Sequence, residues 1–263
     1  PCVNRSGIRF QTERQGAAGA PALRTGLVEI RDLPLDFLET LLHEREERGP
    51  FFSVEDFLVR LEERGHGVEE AWVERLILAG GFDLLEGTRP EKLWRFRVDF
   101  KRRRRRKGAA PLADELFSGS LLQRAPVIPC LPEFDDKERA RLELGLLGFT
   151  TGMLHPIELG EPERDGKRAY LPLVEAPAHV GERVSILGWL AAQRRYRTRR
   201  GDWMCFLTFE DKTGILETVL FPPAYDRFGG ELSGQGRYHV RGRIEAREGA
   251  LALHAESLER MGD

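Results

Sequence analysis

Over the first hundred residues apolar side chains recur at helical spacing. Phe37, Leu38, Leu41 and Leu42 fall at i, i+1, i+4 and i+5, and Trp72, Val73, Leu76 and Ile77 repeat the pattern, which predicts two amphipathic helices. Asp32-Leu33-Pro34 introduces the first, with proline suited to a first turn, and Gly49-Pro50 stops it. A shorter helix fits residues 53–64, with Ser53 at the N-cap and Asp56 three residues on as an imperfect capping box. Gly65-His66-Gly67 and Gly80-Gly81 bracket the Trp72 helix. Residues 135–147 fit one more helix, ended by Gly148.

From residue 182 onward the period changes to two. Val184, Ile186 and Gly188 alternate with Arg183, Ser185 and Leu187; residues 203–209 and 215–221 are β-rich runs; 238–244 and 251–255 alternate apolar with polar. The breaks fall at 194–202, at Asp211-Lys212-Thr213-Gly214, at a helix-like 222–228 and at Arg247-Glu248-Gly249. Five strands with a helical insertion between the third and fourth make the pattern of an OB-fold barrel. An SH3-like barrel or a small sandwich shares the strand count. The chain is therefore expected to be α+β and multidomain, a small all-α module followed by a five-stranded barrel.

Composition narrows the class. With 32% charged and 41% apolar residues, and no long uncharged apolar run, the 263-residue chain is expected to be soluble, with no membrane span. Cys2, Cys130 and Cys205 lie too far apart for a disulfide framework or a zinc knuckle, which fits a reducing, cytoplasmic setting. The first residues, Pro-Cys-Val-Asn-Arg-Ser, have no initiator Met and no apolar stretch of a signal peptide, as expected of a chain starting within a longer one. The 41 Lys+Arg nearly cancel the 43 Asp+Glu, but basic residues cluster at 101–107 and 194–200, so local patches decide the partners. The first patch, Lys101, Arg102, Arg103, Arg104 and the three that follow, reads as a linker or a frayed helix end that attracts phosphate without reading sequence.

The second patch is the stronger binding signal. Arg194, Arg195, Tyr196, Arg197, Thr198, Arg199 and Arg200 stand between the first two barrel strands, with Trp203 just beyond. OB-folds hold single strands at this loop and strand face, arginines meeting phosphates while aromatic rings stack on bases. Arg241 and Arg243 are expected to extend the same face, and Phe206 and Phe209 to fill the core.

Several phrases, in order, resemble one family. Val3-Asn4-Arg5-Ser6, Leu23-Arg24-Thr25-Gly26-Leu27, Arg45-Glu46-Glu47-Arg48-Gly49-Pro50-Phe51, Leu78-Ala79-Gly80-Gly81-Phe82-Asp83, Leu146-Leu147-Gly148-Phe149 with His155-Pro156, and the phrase from Phe206 to Gly214 are similar to landmarks of the bacterial DNA polymerase III alpha subunit and its error-prone relatives, the C-family polymerases. The resemblance implies the end of a fingers region at 1–20, a tandem helix-hairpin-helix module at 21–100, a basic, Pro-rich linker at 101–134, a helical connector at 135–181 and an OB domain at 182–263. It also implies single-stranded and duplex DNA as partners, together with other replisome subunits.

The family's palm aspartates, which hold Mg²⁺, have no counterpart here, since the sequence contains no Asp-x-Asp pair and Asp135-Asp136 suits a helix start. No catalytic residue, metal site or cofactor is therefore expected in this chain, although its parent family is a nucleotidyltransferase. Two departures from the family matter. The first hairpin reads Arg31-Asp32-Leu33-Pro34 where glycines are usual, so Asp adds repulsion toward phosphate and Pro removes an N–H. The segment holding Leu116 and Phe117 resembles a peptide that binds a sliding clamp, but Ala113 stands where the family has Gln. A free-standing adaptor that binds single strands and docks a clamp is the alternative reading; an anticodon-type RNA-binding protein leaves the helical landmarks unexplained.

Overall fold

Aromatic side chains from two helices and two connecting segments meet in the core of the first unit, with Phe57 edge-on to Phe37, Phe51 and Phe82 at centroid distances of 6.3, 5.0 and 5.3 Å. This computed structural model describes residues 1–15, 20–65, 67–108, 129–152, 154–160, 169–247 and 249–261, and the chain divides into Pro1–Thr151 and Gly152–Asp263. Unit one comprises a two-stranded sheet, β1 (Gln11–Gln15) against β2 (Ala20–Arg24), and helices α1 (Leu35–Arg48), α2 (Val54–Glu63), α3 (Glu70–Leu78), α4 (Arg89–Gly108) and α5 (Asp136–Leu147).

The local reasons follow from the sequence. Ser53 accepts the Asp56 N–H at 3.0 Å while Asp56 accepts the Phe52 N–H at 3.0 Å, so the cap is reciprocal but displaced by one residue. Gly49, at φ 81°, turns the chain out of α1 in a conformation that favours glycine. The family-like phrases lock onto one another. Asn4 donates to the Phe51 carbonyl and accepts its N–H, both at 2.8 Å, and Arg45 donates to the carbonyls of Val3 and Ser6. Glu44, fully buried on α1, receives Arg60 at 2.8 Å, Arg48 at 3.3 Å and Arg64.

Three features depart from the sequence reading. The β1–β2 pair is not expected from the sequence, because β1 carries only Gln, Thr, Glu and Arg and β2 contains Pro21. The basic run continues α4, so of the two readings residues 101–107 are the helix end and not the start of a 101–134 linker. Helix α5 contributes Leu147 to the first unit's core, so the stretch 135–181 divides between the two units.

The second unit is a closed barrel in the order β3-β4-β5-β7-β6, from β3 (Arg183–Arg197), β4 (Trp203–Glu210), β5 (Ile215–Leu220), β6 (Arg237–Arg247) and β7 (Ala250–Arg260). Only the β5–β7 pair is parallel among the barrel's described pairs. This is OB topology and resolves the choice left open by strand count. Ile186, Leu190, Leu207, Phe209, Tyr238, Val240, Ile244 and Leu253 fill the interior. Helix α6 (Pro222–Phe228) sits between the third and fourth barrel strands in sequence and packs Ala224, Tyr225 and Phe228 on that core. A Cβ at Gly242 would stand 2.1 Å from the His254 carbonyl oxygen, so this position demands glycine.

The phrase between β4 and β5 has a structural explanation. One Asp211 oxygen accepts the N–H groups of Thr213 and Gly214 and the Thr213 hydroxyl, and the other accepts the Leu173 N–H. Burial alone pushes this carboxyl up, but the four hydrogen bonds outweigh it and hold it below its usual range.

Candidate nucleic-acid interface

Strand β3 changes face in its middle. Leu190 pairs with Phe209 and points inward, but the next partner of Thr208 is Ala192, so Ala191 is bulged out of register. A one-residue bulge reverses which side chains face the core. Without it, Arg194 and Tyr196 would share a face with Ile186 and Leu190. With it, Arg194 and Tyr196 turn outward, opposite Phe206 and Met204 on β4.

Beyond the bulge the hairpin leaves the barrel. Strand β5 stops pairing at Leu220, opposite Cys205, while β3 and β4 continue to the Arg197–Trp203 pair. Every residue of β3 from Ala192 to Arg197 is accordingly exposed, whichever way it points. Thr198, Arg199, Arg200, Gly201 and Asp202 form the turn, with the Thr198 N–H donating to the Asp202 carbonyl at 2.8 Å. The arginines expected in a loop thus divide between strand and turn, Arg194, Arg195 and Arg197 riding on β3.

The hairpin carries two different faces. On the outer one, Ala192, Arg194, Tyr196, Met204, Phe206, Thr208 and Glu217, together with Gln193 at its edge, line an open groove of about 580 Å³. Tyr196 is 51% exposed and Phe206 40%, whereas Phe209 is fully buried. Phe206 is therefore surface and not core, a correction that follows from its position opposite Arg194. On the other face lie Arg195, Arg197 and Trp203, with the Arg197 guanidinium 5.6 Å from the centre of a Trp203 ring that is 47% exposed. Tyr196 and Trp203, either of which is expected to stack on a base, point to opposite sides.

No described carboxylate forms an ion pair with Arg194, Arg195, Arg197, Arg199 or Arg200; Arg197 donates to the Gly201 carbonyl at 2.9 Å. Cys205, beside Arg195, is buried, and that burial pushes its thiol up, keeping it protonated and inert. Arg241 and Arg243 are exposed but pair with Ser185 and Arg183, at the opposite end of β3 from Arg194. They do not extend the groove.

In the first unit the two hairpins differ. Asp32 adopts φ 55°, the left-handed conformation that glycine usually supplies, and its carboxylate lies 3.1 Å from Arg75. The neighbouring Arg31 N–H donates to the Leu146 carbonyl at 2.9 Å and its guanidinium to Gly145 at 3.0 Å. The turn is bonded to the end of α5. At the second hairpin, Gly65 turns at φ 77° and a Cβ at Gly67 would meet nothing within 4 Å. His66 lies outside the described residues. On α4, Lys101 is exposed but Arg103 is held by Glu62 at 3.1 Å, so the run offers fewer unpaired cations than its seven charges suggest. The side chains of Arg102 and Arg104, and all of Leu116 and Phe117, are outside the described residues.

Among the described residues, no helix is long and apolar enough to cross a membrane. Residues 1–92 match the family described as helix-hairpin-helix motif, and residues 184–261 match the OB-fold nucleic acid binding domain. The error-prone DNA polymerase of Anaeromyxobacter dehalogenans (strain 2CP-C) is 29% identical over 95% of this chain and 21% of its own length. That of Symbiobacterium thermophilum is 28% identical over 92% of this chain and 23% of its own, and that of Mycolicibacterium paratuberculosis 26% over 99% and 22%. Among solved structures, an asparaginyl-tRNA synthetase from Pyrococcus horikoshii is 24% identical over 35% of this chain and 22% of its own, with a TM-score of 0.30. The resemblance carried by the sequence phrases is shown by the polymerase relatives, of whose length the chain spans about a fifth.

Proposed function

We propose that this chain is the DNA-holding, non-catalytic part of an error-prone C-family DNA polymerase, and that the outer face of its β3–β4 hairpin holds single-stranded template. The observation that carries the reading is the groove in which exposed Tyr196 and Phe206 flank Arg194. Aromatic faces accept any base, at about 1 to 3 kcal/mol per stacked base, and the arginine meets the phosphate between. Arg199 and Arg200 in the turn lengthen the cationic track. The names of the relatives favour DNA as the nucleic acid.

The helical unit then contacts duplex without reading sequence, through the second hairpin and the exposed cations of α4. Nucleotidyl transfer, with its Mg²⁺-binding carboxylates, belongs in this proposal to other parts of the longer protein. Tethering to a sliding clamp through Leu116 and Phe117 is part of the same reading.

The test is fluorescence anisotropy of the whole chain with a labelled single-stranded oligonucleotide at low salt. Wild type binds, and the double variant Tyr196→Ala/Phe206→Ala loses about tenfold or more in affinity. Absence of binding by wild type, or an unaffected double variant, contradicts the proposal.

A further inference from the structure

We infer that the β3–β4 hairpin stands at a junction where duplex DNA opens, with the unpaired strand on its Tyr196 face and the end of the duplex against its Trp203 face. The inference rests on the single-strand reading above and adds an occupant for a surface which that reading leaves unused.

Three observations carry it. First, the Arg195, Arg197 and Trp203 side chains are exposed although their register assigns them to the barrel's inner side, because the hairpin outruns β5 at Leu220. A surface that continues a hydrophobic core yet carries two arginines and a tryptophan is not a core extension. Second, the Arg197 guanidinium lies 5.6 Å from the Trp203 ring centre while that side chain stays 47% exposed. An indole backed by a cation suits the flat, apolar face of a terminal base pair, and Arg195 and Arg197 stand on the same side to meet the flanking phosphates. Third, Arg199 and Arg200 occupy the turn that joins the two faces, and both are exposed.

Thickness decides between a junction and insertion into intact duplex. A sheet with side chains on both faces occupies about 10 Å, whereas successive bases of one strand are spaced by about 3.4 Å. The hairpin cannot enter a base stack. With a duplex as the occupant, both of its faces engage nucleic acid together only where the two strands have already parted.

The test uses the whole chain and three labelled DNA probes that share a sequence: a single strand, a blunt duplex, and a fork with two unpaired arms. Wild type binds the fork about tenfold more tightly than the single strand. Trp203→Ala abolishes that preference and leaves single-strand affinity as it was, Trp203→Phe retains the preference, and Tyr196→Ala weakens single strand and fork alike. The inference is overturned if wild type shows no fork preference, or if Trp203→Ala weakens single strand and fork equally, the mark of one strand wrapping both faces. Single-strand binding without fork preference sinks this inference alone, whereas loss of all single-strand binding sinks the function proposed above with it.

Discussion

The backbone N–H of Arg31 donates to the carbonyl of Leu146, 115 residues away and one residue from the end of α5. A helix-hairpin-helix turn grips phosphate with its backbone N–H groups, and here one of them is satisfied within the protein while Pro34 lacks another. The first hairpin is thus an internal brace. Arg31→Ala, which keeps this backbone bond but removes the guanidinium bond to the Gly145 carbonyl, should lower stability by about 1 kcal/mol and leave duplex DNA affinity within about twofold of wild type. A larger loss of affinity in a duplex titration would show that the turn does reach DNA.

Asp32 supplies the left-handed turn that glycine normally provides, at φ 55°. For most L-residues this conformation costs about 1 to 2 kcal/mol, and the exposed ion pair with Arg75 returns little. Asp32→Gly should therefore match wild type or gain up to about 1 kcal/mol, while Asp32→Val loses about 2 kcal/mol. Urea unfolding midpoints measure both. Equal midpoints for Gly and Val would contradict the backbone account.

Much of the barrel was legible in the sequence and part of the site was not. Alternation at 183–188, the glycines and the Asp211-Lys212-Thr213-Gly214 turn marked the strands because period two and turn chemistry are local. The bulge at Ala191 leaves no local signature, yet it decides that Arg194, Tyr196 and Phe206 face outward together and that Trp203 does not join them. The α4 helix was obscured for a related reason. A run of like charges opposes a packed element, but Phe96 and Phe100 bury the preceding turns and Glu62 neutralises Arg103, contacts that sequence spacing does not display.

Glu44 makes the first unit sensitive to acid. Burial pushes its carboxyl up, but hydrogen bonds from Arg60 and Arg64 and the charges of Arg64 and Arg48 outweigh this and hold it below the usual carboxylate range. A depressed folded-state value stabilises the fold fully above the ordinary range and is lost as pH falls through the depressed value. Glu44→Gln should cost about 3 kcal/mol at neutral pH, since it leaves the buried Arg60 with only its longer pair to Asp56 at 3.5 Å, and should flatten the acid limb of the stability profile. Denaturant midpoints between neutral and acid pH check this; an unchanged acid limb would contradict it.

Thr218 presents the opposite opportunity. It is fully buried in the barrel on β5, and its hydroxyl has no hydrogen-bond partner among the described residues. An unpaired buried hydroxyl costs about 1 to 3 kcal/mol, and valine has nearly the same shape. Thr218→Val should raise the thermal midpoint of the second unit and gain about 1 kcal/mol. A fall in midpoint would mean the hydroxyl is satisfied.

The account turns on the β3–β4 hairpin as the surface that meets DNA, and its electrostatics can be read directly. The measurement is single-strand affinity across a salt series, for wild type and for a variant with Arg194, Arg195, Arg197, Arg199 and Arg200 all changed to Ala. Each phosphate contact adds about 0.7 to the slope of log affinity against log salt. The account predicts a variant slope shallower by at least about 1.4, the equivalent of two lost contacts, with much weaker binding at low salt. Equal slopes and equal affinities would place the DNA elsewhere on the chain and contradict it.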